Sequence, residues 1–138
     1  MRVRVVYSSM TGNTKKVAEA IAEAVGCKAE NVAECRLDEP VDLLFLGGAI
    51  YATYKHDYAP PLRQFIKSLK PGQVKKVALF VTYAFSSSMG ILKKHLQGAG
   101  IALSEGSFEC RGRFLVFNLR HPNKIDLDGA KDFARGVS

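Results

Sequence analysis

Val3-Arg4-Val5-Val6-Tyr7-Ser8-Ser9-Met10-Thr11-Gly12-Asn13-Thr14-Lys15 begins as an apolar run, breaks into a hydroxyl-rich turn and opens into a helical pattern. Val3 to Tyr7 reads as a strand. Lys15 to Val25 reads as a helix, with Val17, Ala18, Ile21, Ala22 and Val25 at core-facing spacing and Gly26 as its stop. A strand, a short turn and a helix N-terminus in that order make a place for a phosphate. First-turn N–H groups lack intrahelical acceptors, and the helix dipole favours negative charge beside them. Ser9, Thr11 and Thr14 add hydroxyl donors, and Gly12 removes a side chain where the backbone must come close. The bland reading is a simple helix cap. Four matched positions from Thr11 to Thr14, with Ser9 at the strand end, weigh for the phosphate.

Working outward, four more apolar runs alternate with helical patterns, the signature of an α/β sheet covered on both faces. Strands are expected at Lys28–Val32, at Val41–Leu46 after Pro40, at Val77–Val81, and from Ile101 through Phe108 to Cys110. Gly47-Gly48 ends the third strand and leads into a long loop, Ala49 to Tyr58. Pro60-Pro61 starts a helix with Leu62, Phe65, Ile66 and Leu69 inward. Another helix runs from Ser88, its expected cap, to Gly98, and a last one from Asp128 to Val137. Phe114–Leu119 either extends the edge or adds a short strand.

At 138 residues, with 47% hydrophobic and 24% charged residues, the chain has the size and composition of one globular domain, residues 1–138. No apolar stretch reaches the roughly 18 residues that span a bilayer, so no membrane insertion is expected. Cys27, Cys35 and Cys110 have no metal-site spacing and read as reduced thiols of a cytoplasmic protein. The net charge of +7 suits an acidic partner or a solvated basic surface. The basic residues are scattered, without a basic helix or aromatic interleaving, so no specific nucleic-acid role is expected.

Ligands of open parallel sheets bind beyond the carboxyl ends of the strands, where strand order reverses. Three loops meet there: Ser8–Thr14, Ala49–Tyr58 and Thr82–Ser88. The latter two carry Tyr51, Tyr54, Tyr58, Tyr83 and Phe85 beside small residues, which suits a flat ring with a phosphorylated tail. The letters exclude several other phosphate sites. GxxxxGK[ST] is absent, GxGxxG does not follow the first strand, and no cysteine lies in these loops for thiol catalysis. His56 beside Asp57 is a conceivable proton relay, although Asp57 also suits a local hydrogen bond. His95 on a helix surface and His121 beside Pro122 do not read as ligands.

Over essentially its whole length the chain resembles the short-chain flavodoxins. Ser9-Met10-Thr11-Gly12-Asn13-Thr14 matches that family's phosphate loop, in both letters and position. The resemblance implies a doubly wound, five-stranded parallel sheet of order 2-1-3-4-5 in a three-layer α/β/α arrangement, with FMN as cofactor. By that likeness Ser9, Thr11, Asn13 and Thr14 wrap the phosphate with side chains and N–H groups, without help from Lys15. Ile50-Tyr51-Ala52-Thr53 matches the segment against the inner face of the ring, with Tyr51 or Ile50 in contact and the Ala52–Thr53 peptide near flavin N5. Relatives often have glycine at that step, and alanine turns over less readily. Thr82-Tyr83-Ala84-Phe85 matches the outer-face segment, with Phe85 or Tyr83 on the ring and the backbone of Tyr83 and Ala84 near its pyrimidine end.

The function implied is low-potential electron transfer between redox partner proteins by a monomer or weak dimer. The basic charge departs from the acidic habit of the family. It implies a reduced flavin that is less disfavoured electrostatically and partners with an acidic docking face. Two other readings stand beside this one: a small NAD(P)H-dependent FMN oxidoreductase acting on a quinone or porphyrin-type substrate, and an interaction domain of the same fold without FMN.

Overall fold

In the computed structural model, residues 1–51, 57–84, 89–113 and 118–137 are described. The strands and helices in chain order are β1 (Val3–Tyr7), α1 (Asn13–Val25), β2 (Ala29–Asn31), β3 (Val41–Gly48), β4 (Ile50–Tyr51), β5 (Asp57–Tyr58), α2 (Pro60–Ser68), β6 (Val74–Tyr83), α3 (Met89–Gly98), β7 (Leu103–Arg111) and α4 (Lys124–Val137). Five of the strands form one parallel sheet in the order β2-β1-β3-β6-β7. Counting only those five, this is the expected 2-1-3-4-5 order.

Alternate residues of each strand feed the two faces. Val5, Tyr7, Phe45, Ala78 and Phe80 pack with Val17, Ala18 and Ile21 of α1 and Ala130 and Ala134 of α4. Val6, Leu44, Leu46, Leu79 and Val81 pack with Leu62, Phe65 and Ile66 of α2 and Leu92 and Leu96 of α3. Helices therefore cover both faces, and β3 and β6, in the middle, are the most apolar strands. At the edge, Arg4 of β1 grips Glu30 of β2 with two hydrogen bonds of 2.6 and 2.7 Å, a bidentate pair that fixes a three-residue strand.

Several boundaries differ from those the sequence suggests. β6 starts at Val74 and continues through Thr82 and Tyr83, because it is paired along its length with β3 and then with β7. Thr82, expected in a loop, is a buried strand residue. α4 starts at Lys124 rather than Asp128, because Asn123 and Asp126 cap each other's N–H groups at 2.9 Å. The stretch expected as a loop from Ala49 to Tyr58 is closed at its ends by an antiparallel pairing of Ile50 with Tyr58 and Tyr51 with Asp57. The expected cap Ser88, and residues 114–117 of the possible extra strand, lie outside the described residues. Asn118 and Leu119 are in a turn.

Gly47 is required by packing. A Cβ there would overlap the ring of Phe80 on the neighbouring strand. The absent side chain lets β3 and β6 run side by side to the edge where their loops emerge.

Candidate functional site

β1, β3, β6 and β7 all end at one edge of the sheet, and β1 and β3 flank the point where strand order reverses. The turn after β1 is built from its own side chains. Ser8 N–H continues the ladder to Gly47 O at 3.0 Å, and Gly12 N–H donates to Ser9 Oγ at 3.0 Å. Gly12 precedes α1 with φ 88°, a left-handed conformation that a side chain would strain. No side chain caps this 13-residue helix, so its first-turn N–H groups are not claimed by a cap.

Asn13 and Thr14 fasten the turn to its neighbours. Asn13 Nδ2 donates to Thr11 Oγ1 at 2.9 Å and to Arg113 O at 2.7 Å, which uses both amide hydrogens. Its offer to an anion is then its backbone N–H. The chain after β7 comes close enough that a Cβ on Gly112 would stand 2.7 Å from Asn13 Nδ2. Thr14 Oγ1 and Thr82 Oγ1 are 2.8 Å apart, both buried, and tie the turn to the end of β6. Ser9 and Thr11 oxygens accept from within the turn, which leaves their hydroxyl hydrogens to point elsewhere. Met10 is exposed, as are Lys15 and Lys16.

The third expected segment is braced by the chain after β7. Tyr83 O accepts from Gly112 N–H at 2.8 Å, and Ala84 O accepts from Asn118 Nδ2 at 2.7 Å. Asn118 holds a left-handed φ of 52°, which asparagine tolerates better than most residues. Sequence reasoning missed Gly112, Arg113 and Asn118. A glycine between two arginines and an asparagine suited to a left-handed turn were the only local signals. Phe85 lies outside the described residues, as do Ala52, Thr53, Tyr54 and His56.

The segment bearing Ile50 and Tyr51 is rooted by Asp57 and Tyr58. Asp57 Oδ1 accepts from Tyr58 N–H at 2.7 Å and lies 2.9 Å from His95 Nε2 of α3. Burial works to raise the Asp57 carboxyl, but the bonds from His95 and Tyr58 and the nearby Arg63 outweigh it and hold it below the usual carboxylate range. Tyr58 is fully buried and edge-on to His95, with ring centres 6.5 Å apart, so it is a packing residue. Arg63 Nε donates to Tyr58 O at 2.8 Å. The cysteines stand apart from this chemistry. Burial, with Asp126 nearby, pushes the Cys110 thiol up to about 12, and burial, with Glu30 nearby, pushes Cys35 up to about 11.

An uncapped helix N-terminus, a left-handed glycine and a turn without carboxylates fit a phosphate monoester held by neutral donors. Likeness to known proteins extends over the whole chain. A family model described as Flavodoxin domain matches residues 4–116. An uncharacterized protein of Methanocaldococcus jannaschii is 28% identical over 152 aligned positions, covering 99% of this chain and 98% of its own. Among solved structures, a flavodoxin from the domain Archaea superposes with a TM-score of 0.71 at 18% identity, over 99% of this chain and 96% of that one. Flavodoxin 2 from Bacillus cereus gives 0.75 at 16%, over 99% and 97%.

Proposed function

We propose that this chain, which belongs to the flavodoxin domain family, holds FMN against the Ser9–Thr14 turn and carries electrons between redox proteins. The observation that carries this reading is the start of α1: Gly12 at φ 88°, no side-chain cap, and a carboxylate-free turn at the reversal of strand order. When bound, FMN supplies the electron chemistry, and the protein supplies position, water exclusion and charge.

Each side chain has a stated part. Ser9 and Thr11 direct hydroxyl hydrogens, and Asn13 and Thr14 direct N–H groups, at the phosphate, while Gly12 spends its own N–H on Ser9 Oγ and lets the backbone turn. The buried Thr14–Thr82 pair and the Asn13–Arg113 bond hold the turn in shape before ligand arrives, so little ordering is needed on binding. Ile50, Tyr51, Ala52 and Thr53 on one side, and Thr82, Tyr83, Ala84 and Phe85 on the other, flank the ring. Asp57, fixed by His95, anchors the far end of the first of these segments. Cationic surroundings favour the reduced, anionic ring more than an acidic protein would, so the potential is expected above that of acidic relatives.

The test is stepwise reduction of the purified chain after addition of FMN, followed in the visible spectrum without oxygen. A yellow protein reduced by dithionite, but only slowly by NADH or NADPH alone, agrees with a carrier. Rapid reduction by either nucleotide without a separate reductase points to an NAD(P)H-dependent oxidoreductase. Failure to take up FMN points to an FMN-free interaction domain.

A further inference from the structure

The positive charge of this chain is not spread evenly. Segments 8–16, 47–60, 82–90 and 111–124, which leave the carboxyl ends of β1, β3, β6 and β7, hold seven lysines and arginines and one carboxylate, Asp57. That carboxylate is already engaged by His95. On the α1–α4 side of this edge, Lys15, Lys16, Arg113, Arg120 and Lys124 are all exposed. Among the described residues, none of these five is joined to a carboxylate in a salt bridge. They lie on neighbouring pieces of chain. Lys15 and Lys16 are in the first turn of α1, Arg113 is bonded through its carbonyl to Asn13, and Lys124 opens α4, which packs beside α1.

The same region exposes large apolar side chains. Met10 in the turn is 56% exposed, Leu119 60% and Ile125 80%. Isolated apolar residues on a surface need no explanation, but these lie along one edge among cations and beside the candidate cofactor turn. A patch with apolar contacts and a charged rim is the anatomy of a protein interface.

We propose that this edge, with Leu119 and Ile125 as apolar contacts and Arg113, Arg120, Lys124, Lys15 and Lys16 around them, docks an acidic redox protein. The proposal rests on the electron-carrier reading and adds to it where, and through which side chains, the partner engages. An anionic lipid surface also attracts cations, but the chain has no tryptophan to anchor at a bilayer interface, which favours a protein.

The experiment uses the full FMN-loaded chain and, as probe, a reduced acidic [2Fe–2S] ferredoxin in stopped flow. One electron leaves the ferredoxin cluster and enters the FMN of this chain. The wild-type rate should fall by about tenfold or more from low to high salt. The Arg120→Glu/Lys124→Glu variant should be about tenfold slower at low salt and equal to wild type at high salt, where charge is screened. Leu119→Ser/Ile125→Ser should be slower at both salts, with FMN affinity unchanged in every variant. Wild-type rates in both variants, a rate that rises with salt, or attachment to phosphatidylserine vesicles without response to ferredoxin would overturn the docking surface. If the chain takes up no FMN, the carrier reading fails separately. Calorimetric association of the chain with the same ferredoxin then decides, with the same ranking of variants expected and no association overturning the proposal.

Discussion

Thr14 and Thr82 show how one pair of hydroxyls shapes the site. Each is buried, and each has the other as its side-chain partner. Replacing one with valine strands the other, which costs about 1–3 kcal/mol. Thr14→Val and Thr82→Val should each lower the urea midpoint, and the double variant should lose less than their sum. Strict additivity would show that the hydroxyls do not stabilise each other. The cysteines give a second expectation at this scale. With Cys110 pushed up to about 12, its thiolate is scarce at pH 8, and a disulfide reagent should leave it unreacted until urea unfolds the chain. Rapid labelling of Cys110 in the native protein would contradict its burial.

Among the elements, β3 and the short β4–β5 pairing carry the most consequence. Gly47→Ala drives a methyl into the Phe80 ring and should cost about 1–3 kcal/mol, with partial recovery when Phe80→Ala is added. Equal stability of Gly47→Ala and wild type would mean that the strands separate freely. Asp57 gives the pairing a pH dependence of defined sign. Its folded carboxyl is held below the usual value, so its contribution is present above about pH 4 and is lost as pH falls through the folded value. Asp57→Asn should cost about 1 kcal/mol at pH 7, a modest figure for a group partly open to water. The gap from wild type should narrow as pH falls below about 4, and a gap unchanged between neutral and acidic urea melts would remove the His95–Asp57 account.

These elements also show what the letters disclose. Apolar runs mark β1, β3 and most of β6, because buried parallel strands need little beyond hydrophobicity, whereas the edge strands β2 and β7 carry polar residues and leave a weaker signal. Their order follows from the family likeness rather than from the runs themselves. The mutual cap of Asn123 and Asp126 is equally present in the sequence, yet the apolar pattern of α4 signals a helix only from about Asp128. The β4–β5 pairing, two residues on each side, is too short to leave a periodic signal. His95 reads as a surface residue from sequence, since its partner Asp57 is remote along the chain and only the packing of α3 brings the two together.

For the whole molecule, the turn after β1 is the most legible part of the site, because its chemistry is local: backbone N–H groups, hydroxyls and one glycine within six residues. What braces that turn is not legible. Arg113 O, Gly112 and Asn118 come from about a hundred residues away or from a separate loop, and only the fold brings them together. The distribution of charge belongs to this scale as well. A net charge of +7 is a sum over the sequence, whereas its concentration at the edge that carries the candidate site depends on which chain ends the parallel sheet brings to one side.

Comparison of FMN with riboflavin binding tests the central claim most directly, because the two differ only in the phosphate that the Ser9–Thr14 turn is held to grip. Quenching of flavin fluorescence by the purified chain should show FMN bound at least a hundredfold more tightly, about 2.7 kcal/mol. The difference should survive high salt better than a lysine-held phosphate would, since neutral donors do the holding. Equal affinity for the two flavins, or binding of neither, would contradict the account.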